Sequence, residues 1–256
     1  MQPILALWAT PRSTSTAFEW MMRQRGDFVC HHEPFNELYY YGEDRRSARE
    51  GAVAAKPGLN YANVWTGLLG QAEANRIFLK DFAYSVMHMV DDAFLSKFTH
   101  SFLIRDPKKV LPALHHHWPN FTVEEAGFST LRVLFERVAE RDGKAPPVMT
   151  SEDLLTAPEA TVAAYCAAVD IPFIAQALSW SPGERKEVSW YGEGRGPWHE
   201  NLRQSRGIEP QNSTYPPIES VPELMRKYEA CLPDYQALLR HKLPISEPSE
   251  RARTPA

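Results

Sequence analysis

The chain has 256 residues, 43% of them apolar, with 28 basic and 32 acidic side chains and a formal net charge of −4. This supports a real core and excludes a disordered chain; the slight acidity argues against a general nucleic-acid binder, so any anion site must be a local focus of positive charge. Three cysteines, Cys30, Cys166 and Cys231, include no C-x-x-C pair, which argues against a zinc site or disulfide framework and for a reducing compartment.

Ile4–Ala9 reads as a strand that stops at Pro11. Arg12 follows, then the hydroxyl residues Ser13, Thr14, Ser15 and Thr16, then a helical pattern over Ser15–Arg25. Strand, tight loop and helix N-terminus is an arrangement that holds a phosphate. First-turn N–H groups lack acceptors, the helix dipole favours an anion, and an arginine adds a fork of donors. The loop lacks the glycines and lysine of a Walker A motif, and a Ser/Thr-rich helix start serves equally as a plain cap.

Phe28–His32, Arg76–Lys80, Ser101–Arg105 and Pro147–Thr150 read as further strands. Helices are expected within Tyr61–Ala74 and over Tyr84–Lys97, Lys108–His117, Val123–Arg141 and Pro158–Val169. The stretches 42–60 and 183–217 read as long loops or lids, and 244–256 as a disordered tail, leaving 1–243 as one α/β domain. The first apolar run is too short for a signal peptide, and no stretch approaches the ~18 apolar residues of a membrane span; a cytoplasmic location is expected. Alternating strands and helices predict a parallel sheet. Its strands end at Arg12, at His31-His32-Glu33, at Lys80-Asp81 and at Arg105-Asp106. Ligands of open α/β sheets bind beyond those carboxyl ends, so these groups should share one edge.

Three segments, taken in order, resemble the sulfotransferase family, which uses 3′-phosphoadenosine 5′-phosphosulfate (PAPS): Thr10-Pro11-Arg12-Ser13-Thr14-Ser15-Thr16, Phe102-Leu103-Ile104-Arg105-Asp106-Pro107-Lys108-Lys109-Val110 and Ser151-Glu152-Asp153-Leu154-Leu155-Thr156-Ala157-Pro158. The resemblance runs roughly from Ile4 to Phe173. It implies a three-layer P-loop NTPase-like fold with a central parallel sheet of about five strands flanked by helices. It implies Arg12 at the bridging oxygen and sulfuryl group, Ser13 to Thr16 on the 5′-phosphate, and Arg105 on the 3′-phosphate. Gly194–Asn201 is loosely similar to the family's donor lid, which implies Arg195 and Gly196 at the 3′-phosphate. The expected product is the 3′,5′-bisphosphate (PAP). No metal is expected, and the partner is a small-molecule hydroxyl or amine rather than a nucleic acid or membrane, with a homodimer compatible. Two departures stand out. Ala113 occupies the place of a family serine that helps hold the 3′-phosphate, with His115, Lys109 and Arg195 as substitutes. Lys80-Asp81-Phe82 replaces a lysine–threonine–histidine unit whose histidine is the base.

Glu33, before Pro34, is the first candidate base; Pro34 biases it toward an extended backbone. The plainer reading is a strand-end carboxylate paired with Arg12 or Arg45. Asp81 and His32 are the next candidates. Lys80 suits either the sulfuryl oxygens or a pair with Asp81. Phe35, Tyr84, His115 and Trp118 are candidates for the acceptor pocket, although aromatics serve equally as core. His115, His116 and His117 point different ways on a helix, which disfavours a metal site. Two other readings remain at this level: a same-fold enzyme with altered chemistry (a nucleotide phosphotransferase, or handling of a sulfated intermediate) and a non-catalytic nucleotide-binding protein.

Overall fold

The computed structural model describes residues 2–49, 53–188, 200–210 and 215–245. Five strands, β1 (Ile4–Ala9), β2 (Val29–His32), β3 (Ile77–Asp81), β4 (Phe98–Ile104) and β5 (Val148–Thr150), form one parallel sheet in the order β2-β3-β1-β4-β5. The α-helices among the described residues are α1 (Ser15–Gln24), α2 (Pro34–Tyr41), α3 (Tyr61–Ala74), α4 (Asp92–Leu95), α5 (Pro107–His117), α6 (Phe128–Asp142), α7 (Ser151–Thr156), α8 (Pro158–Ala168), α9 (Glu200–Gln204) and α10 (Pro222–Leu239). None of the described helices is long and apolar enough to cross a membrane.

β1 is buried along its whole length, as a run apolar on both faces requires of a central parallel strand. Successive side chains go to opposite sides. Leu5, Leu7 and Ala9 pack with Phe18, Met21 and Met22 of α1 and with Val162 and Tyr165 of α8. Ile4, Ala6 and Trp8 pack with Leu68 of α3, Leu134 and Val138 of α6, and Leu238 of α10. The sheet is thus the middle of three layers. Because β1 lies between β3 and β4, its carboxyl end is the point where the winding reverses and a crevice opens. The parallel α/β fold read from the sequence is the fold observed.

Some expected elements differ. Tyr84–Lys97 is not one helix but two 3₁₀ turns, Ala83–Ser85 and Met87–Met89, followed by α4. The side chain of Asp91 accepts the Phe94 N–H and so starts a new helix in the middle of the expected one. The helix expected from Val123 begins only at Phe128. Before it, Thr122 and Glu125 each accept the other's backbone N–H, and Gly127 turns left-handed at φ 81°.

Helices α2 and α10 have no counterpart among the expected elements. The N-terminus of α2 is satisfied from a distant strand: Asp81 Oδ2 accepts the Phe35 N–H at 2.7 Å, while Oδ1 accepts the Phe82 N–H at 2.8 Å and the Ser85 hydroxyl at 3.1 Å. Asp81, a candidate base by sequence, therefore ties β3 to α2 and is fully buried outside the cavity described below. Burial and the charge of Glu33 push its carboxyl up to about 7 against the backbone N–H groups that pull it down. Asp81→Ala, which strands those donors in the core, is expected to lower stability by roughly 1–3 kcal/mol in urea unfolding; Asp81→Asn, which keeps one acceptor oxygen, should cost less.

Candidate active site

The loop after β1 takes a conformation that side chains rarely adopt. Arg12 (φ 58°) and Thr14 (φ 68°) are both left-handed, and neither is glycine; each such residue costs on the order of 1–3 kcal/mol unless its surroundings fix it. Here they do. Ser13 Oγ donates to the Thr10 carbonyl, Ser151 Oγ donates to the Ser13 carbonyl, and Arg105 Nη1 donates to the Arg12 carbonyl at 2.8 Å. Left-handed residues on either side of Ser13 give the changing backbone hand that builds an anion-binding nest of N–H groups. Thr14 makes no side-chain cap to α1, so the helix N-terminus adds its own uncapped donors.

This loop is the floor of a cavity of about 430 Å³ at the carboxyl ends of β1 to β4. Ser13, Thr14, Ser15 and Thr16 line it together with Arg12 and Arg105. Burial lowers the pKa of both guanidinium groups, and for Arg105 the neighbouring Arg12 adds to the effect against Glu152. Two desolvated cations side by side favour an anion between them. Arg105 Nε and Thr10 Oγ1 are buried and have no hydrogen-bond partner among the described residues. An orphaned buried donor beside an anion nest fits a ligand with several phosphate oxygens.

Lys108, Lys109 and Ala113 also line this end. Lys109 Nζ lies 3.2 Å from Glu152. His115 does not reach the cavity, because its Nδ1 sits 3.0 Å from the Pro119 carbonyl. Arg195 and Gly196 lie outside the described residues.

The other end of the cavity is built on a file of alternating charges. Lys80 on β3 is fully buried and pairs with Glu33 Oε1, while Asn36 Nδ2 donates to Glu33 Oε2 at 2.9 Å. Lys80 and Asn36 thus take the places that the plainer reading gave to Arg12 or Arg45, and Lys80 pairs with Glu33 rather than Asp81. His32, level with Lys80 in the β2–β3 register, has Nε2 3.8 Å from Glu33 Oε1 and Nδ1 2.6 Å from Glu19 Oε2. Glu19 Oε1 accepts from Arg23 Nη2 at 2.8 Å.

Pro34 does keep Glu33 out of the right-handed helical region, but through a left-handed backbone (φ 47°, ψ 47°) rather than an extended one. Burial would raise the Glu33 carboxyl; Lys80 and His32 outweigh it and hold the group at about 2. His32, Glu33 and Lys80 all line the cavity.

Phe82, Tyr84 and Trp118 form the apolar wall beside Glu33. Tyr84 Oη donates to Asn36 Oδ1 at 2.9 Å. Arg49 lies 5.0 Å from the Trp118 ring and forms an ion pair with Glu125, which accepts from Tyr40 Oη. Phe35 faces away into the core among Tyr61, Trp65 and Phe94, because Asp81 draws its backbone inward.

Sequence reasoning missed Glu19 and Asn36, and also Asn201, Ser205, Glu209 and Tyr215, which bring the late segment to the cavity. The only local hint for Glu19 is its spacing of four from Arg23 on α1, which a surface pair would share.

A family model described as "Sulfotransferase domain" matches residues 2–241. Among curated proteins, branched-chain-amino-acid aminotransferase-like protein 2 of Arabidopsis thaliana is 25% identical over 242 residues, which is 93% of this chain and 42% of that protein. Branched-chain-amino-acid aminotransferase-like protein 1 of the same plant is 26% identical over 209 residues, 80% of this chain and 36% of that one. The chain thus spans less than half the length of the curated relatives it matches. Among solved structures, the sulfotransferase domain from the curacin biosynthetic pathway superposes with a TM-score of 0.53 at 12% identity, covering 95% of this chain and 99% of that one.

The Lys80–Glu33 pair makes stability depend on pH in a defined direction. With its pKa depressed to about 2, Glu33 contributes stability that is full above the ordinary carboxylate range and is lost as pH falls toward 2. Lys80→Met leaves a buried carboxylate without its cation and should cost about 3–5 kcal/mol at pH 7. The loss should shrink toward pH 5 as Glu33 takes up a proton, which urea unfolding at the two pH values will measure.

Proposed function

This chain belongs to the sulfotransferase domain family, and we propose that it transfers a sulfuryl group from PAPS to a hydroxyl or amine of a small-molecule acceptor. The observation that carries this reading is the buried Arg105 Nε, without a partner among the described residues, beside the Arg12–Thr16 nest; it supports a second phosphate next to the one in the loop. When bound, PAPS supplies a sulfuryl group on a phosphate leaving group. The residues supply the rest.

Arg12 and the loop N–H groups neutralise the charge that grows on the leaving oxygen, the largest contribution a protein makes to a loose in-line transfer. Arg105 holds the 3′-phosphate. Lys109, which lines the cavity with Ala113, supplies a cation in place of the missing serine hydroxyl. Lys80 turns from Glu33 to the sulfuryl oxygens, and that exchange releases Glu33 from the cation that keeps it a poor base, so that it takes the acceptor's proton. Phe82, Tyr84 and Trp118 exclude water around the acceptor.

Calorimetry on the ligand-free chain tests the reading. Adenosine 3′,5′-bisphosphate should bind without Mg²⁺ and more tightly than AMP, and Arg105→Ala should remove roughly 10–100-fold of that preference, the worth of hydrogen bonds to a charged group. A preference that survives in the variant puts the 3′-phosphate elsewhere. Tighter, Mg²⁺-dependent binding of ATP would make the chain a phosphotransferase instead.

A further inference from the structure

Transfer leaves a proton to place, and Glu33 is badly suited to keep it. At rest both its oxygens are engaged, by Lys80 and by Asn36, and the return of Lys80 after transfer drives the proton off. The residue behind it is better suited. His32 lines the cavity at the end of β2 and stands between two carboxylates, Glu19 at Nδ1 (2.6 Å) and Glu33 at Nε2 (3.8 Å).

Glu19 is buried from solvent, yet it is held in place. Its other oxygen accepts from Arg23 Nε at 3.1 Å and Nη2 at 2.8 Å, and Arg23 also donates to the carbonyls of Cys30 and Glu187. Burial raises the Glu19 carboxyl, but His32, Lys80 and Arg23 together bring it below its ordinary value, so it stays an anion. An anionic oxygen at Nδ1 keeps a proton on that nitrogen. The lone pair of the neutral ring is then on Nε2, the nitrogen turned toward Glu33. Protonation there makes an imidazolium flanked by two negative charges.

We infer that His32 is the terminus of the proton path in this site and that Glu19 is a positioning residue that fixes its tautomer. The inference rests on the sulfotransferase reading above. The acceptor's O–H bond breaks and its electron pair forms the bond to sulfur. The pair of the old sulfur–oxygen bond stays on the phosphate oxygen at Arg12. The proton passes to Glu33, then to His32 Nε2 once the departure of Lys80 from Oε1 lets the 3.8 Å gap between them close, and returns to solvent through the cavity that His32 lines. Among the described residues, the charged groups around His32 are Glu19 of α1 and Glu33 at the start of α2, with Arg23 behind the first and Lys80 of β3 behind the second.

Glu19→Gln is the informative variant because Arg23 decides how the introduced amide must sit. Arg23 has only donors, so it claims the amide oxygen and leaves the NH₂ against His32 Nδ1. The ring is then forced to carry its proton on Nε2. ¹⁵N NMR of the full chain with labelled histidine, assigned with His32→Gln, should show the neutral ring protonated on Nδ1 in the wild type and on Nε2 in Glu19→Gln. Turnover should fall by at least about 10²-fold, the scale of a lost proton acceptor, while affinity for adenosine 3′,5′-bisphosphate stays within twofold or so.

A wild-type ring protonated on Nε2 overturns the proposal even if the variant does not fold. So does a switched tautomer with unchanged turnover. Failure of the bisphosphate to bind the wild type overturns the sulfotransferase reading itself, and this inference with it.

Discussion

The constraint on which the site depends is that a lysine with no exposed surface must find an anion. Lys80 projects from a central region of the sheet where no water reaches it, and an ammonium left alone there would cost several kcal/mol. Glu33 meets that need from the neighbouring strand end, and the backbone bends to let it. The Glu33 N–H still bonds to the Lys80 carbonyl at 2.8 Å, one residue beyond β2, and its own carbonyl accepts the Glu37 N–H of α2. The left-handed turn at Glu33 is therefore the joint between strand and helix. From that pair the charges alternate outward through His32 and Glu19 to Arg23. Such a file would be matched in stability by an apolar core; what it adds is Lys80, Glu33 and His32 on the cavity wall, with Glu19 and Arg23 behind them.

The donor end solves a different problem. A phosphate-holding loop usually gets its left-handed positions from glycine, and this one has none. The strain is carried by one contact within the loop and two from elsewhere in the chain. Ser13 bonds back to Thr10, Ser151 at the start of α7 bonds to the Ser13 carbonyl, and Arg105 at the end of β4 bonds to the Arg12 carbonyl. The segments that resemble the family in sequence are therefore one physical unit: the second and third hold the first in shape. Arg105 does so with one nitrogen while its Nε has no partner among the described residues, so one guanidinium both braces the loop and keeps a donor in reserve.

How much of this is legible in sequence follows from how local each cause is. β1 reads at its observed ends because six apolar residues followed by Pro11 and Arg12 carry the whole signal. The convergence of Arg12, His32, Glu33, Lys80 and Arg105 is legible too, because strand ends in a parallel sheet share an edge. Helix α2 is not, since the group that satisfies its first turn is Asp81, on another strand. The same long-range bond takes Phe35 out of the pocket and leaves Asp81 outside the cavity lining. Lys80 and Glu33 both stand out in sequence, but their pairing does not, because it depends on the β2–β3 register, which strand propensity does not fix. Glu19 is invisible for a related reason: an acid on an amphipathic helix looks like a surface residue until the strand beneath it is known to end in histidine.

The two ends of the cavity are therefore held by unlike means. The donor end is fixed by side-chain donors, from Ser13, Ser151 and Arg105, that bond to the carbonyls of the loop itself. The acceptor wall is fixed by side chains at a distance: Trp118 is packed against Tyr40 and covered by Arg49, and Arg49 is anchored by Glu125 and by Asn120. Arg49 belongs to the stretch between α2 and α3, whose described residues form no regular element. A substitution at Arg49 thus reaches the ring that borders the acceptor without touching Lys80, Glu33 or the loop at Arg12. The shape of the end lined by Trp118 is then set by a few separable contacts, while the loop at Arg12 is set from the end of β4 and the start of α7. On the sulfotransferase reading proposed above, such a fold changes what it accepts without rebuilding how it transfers.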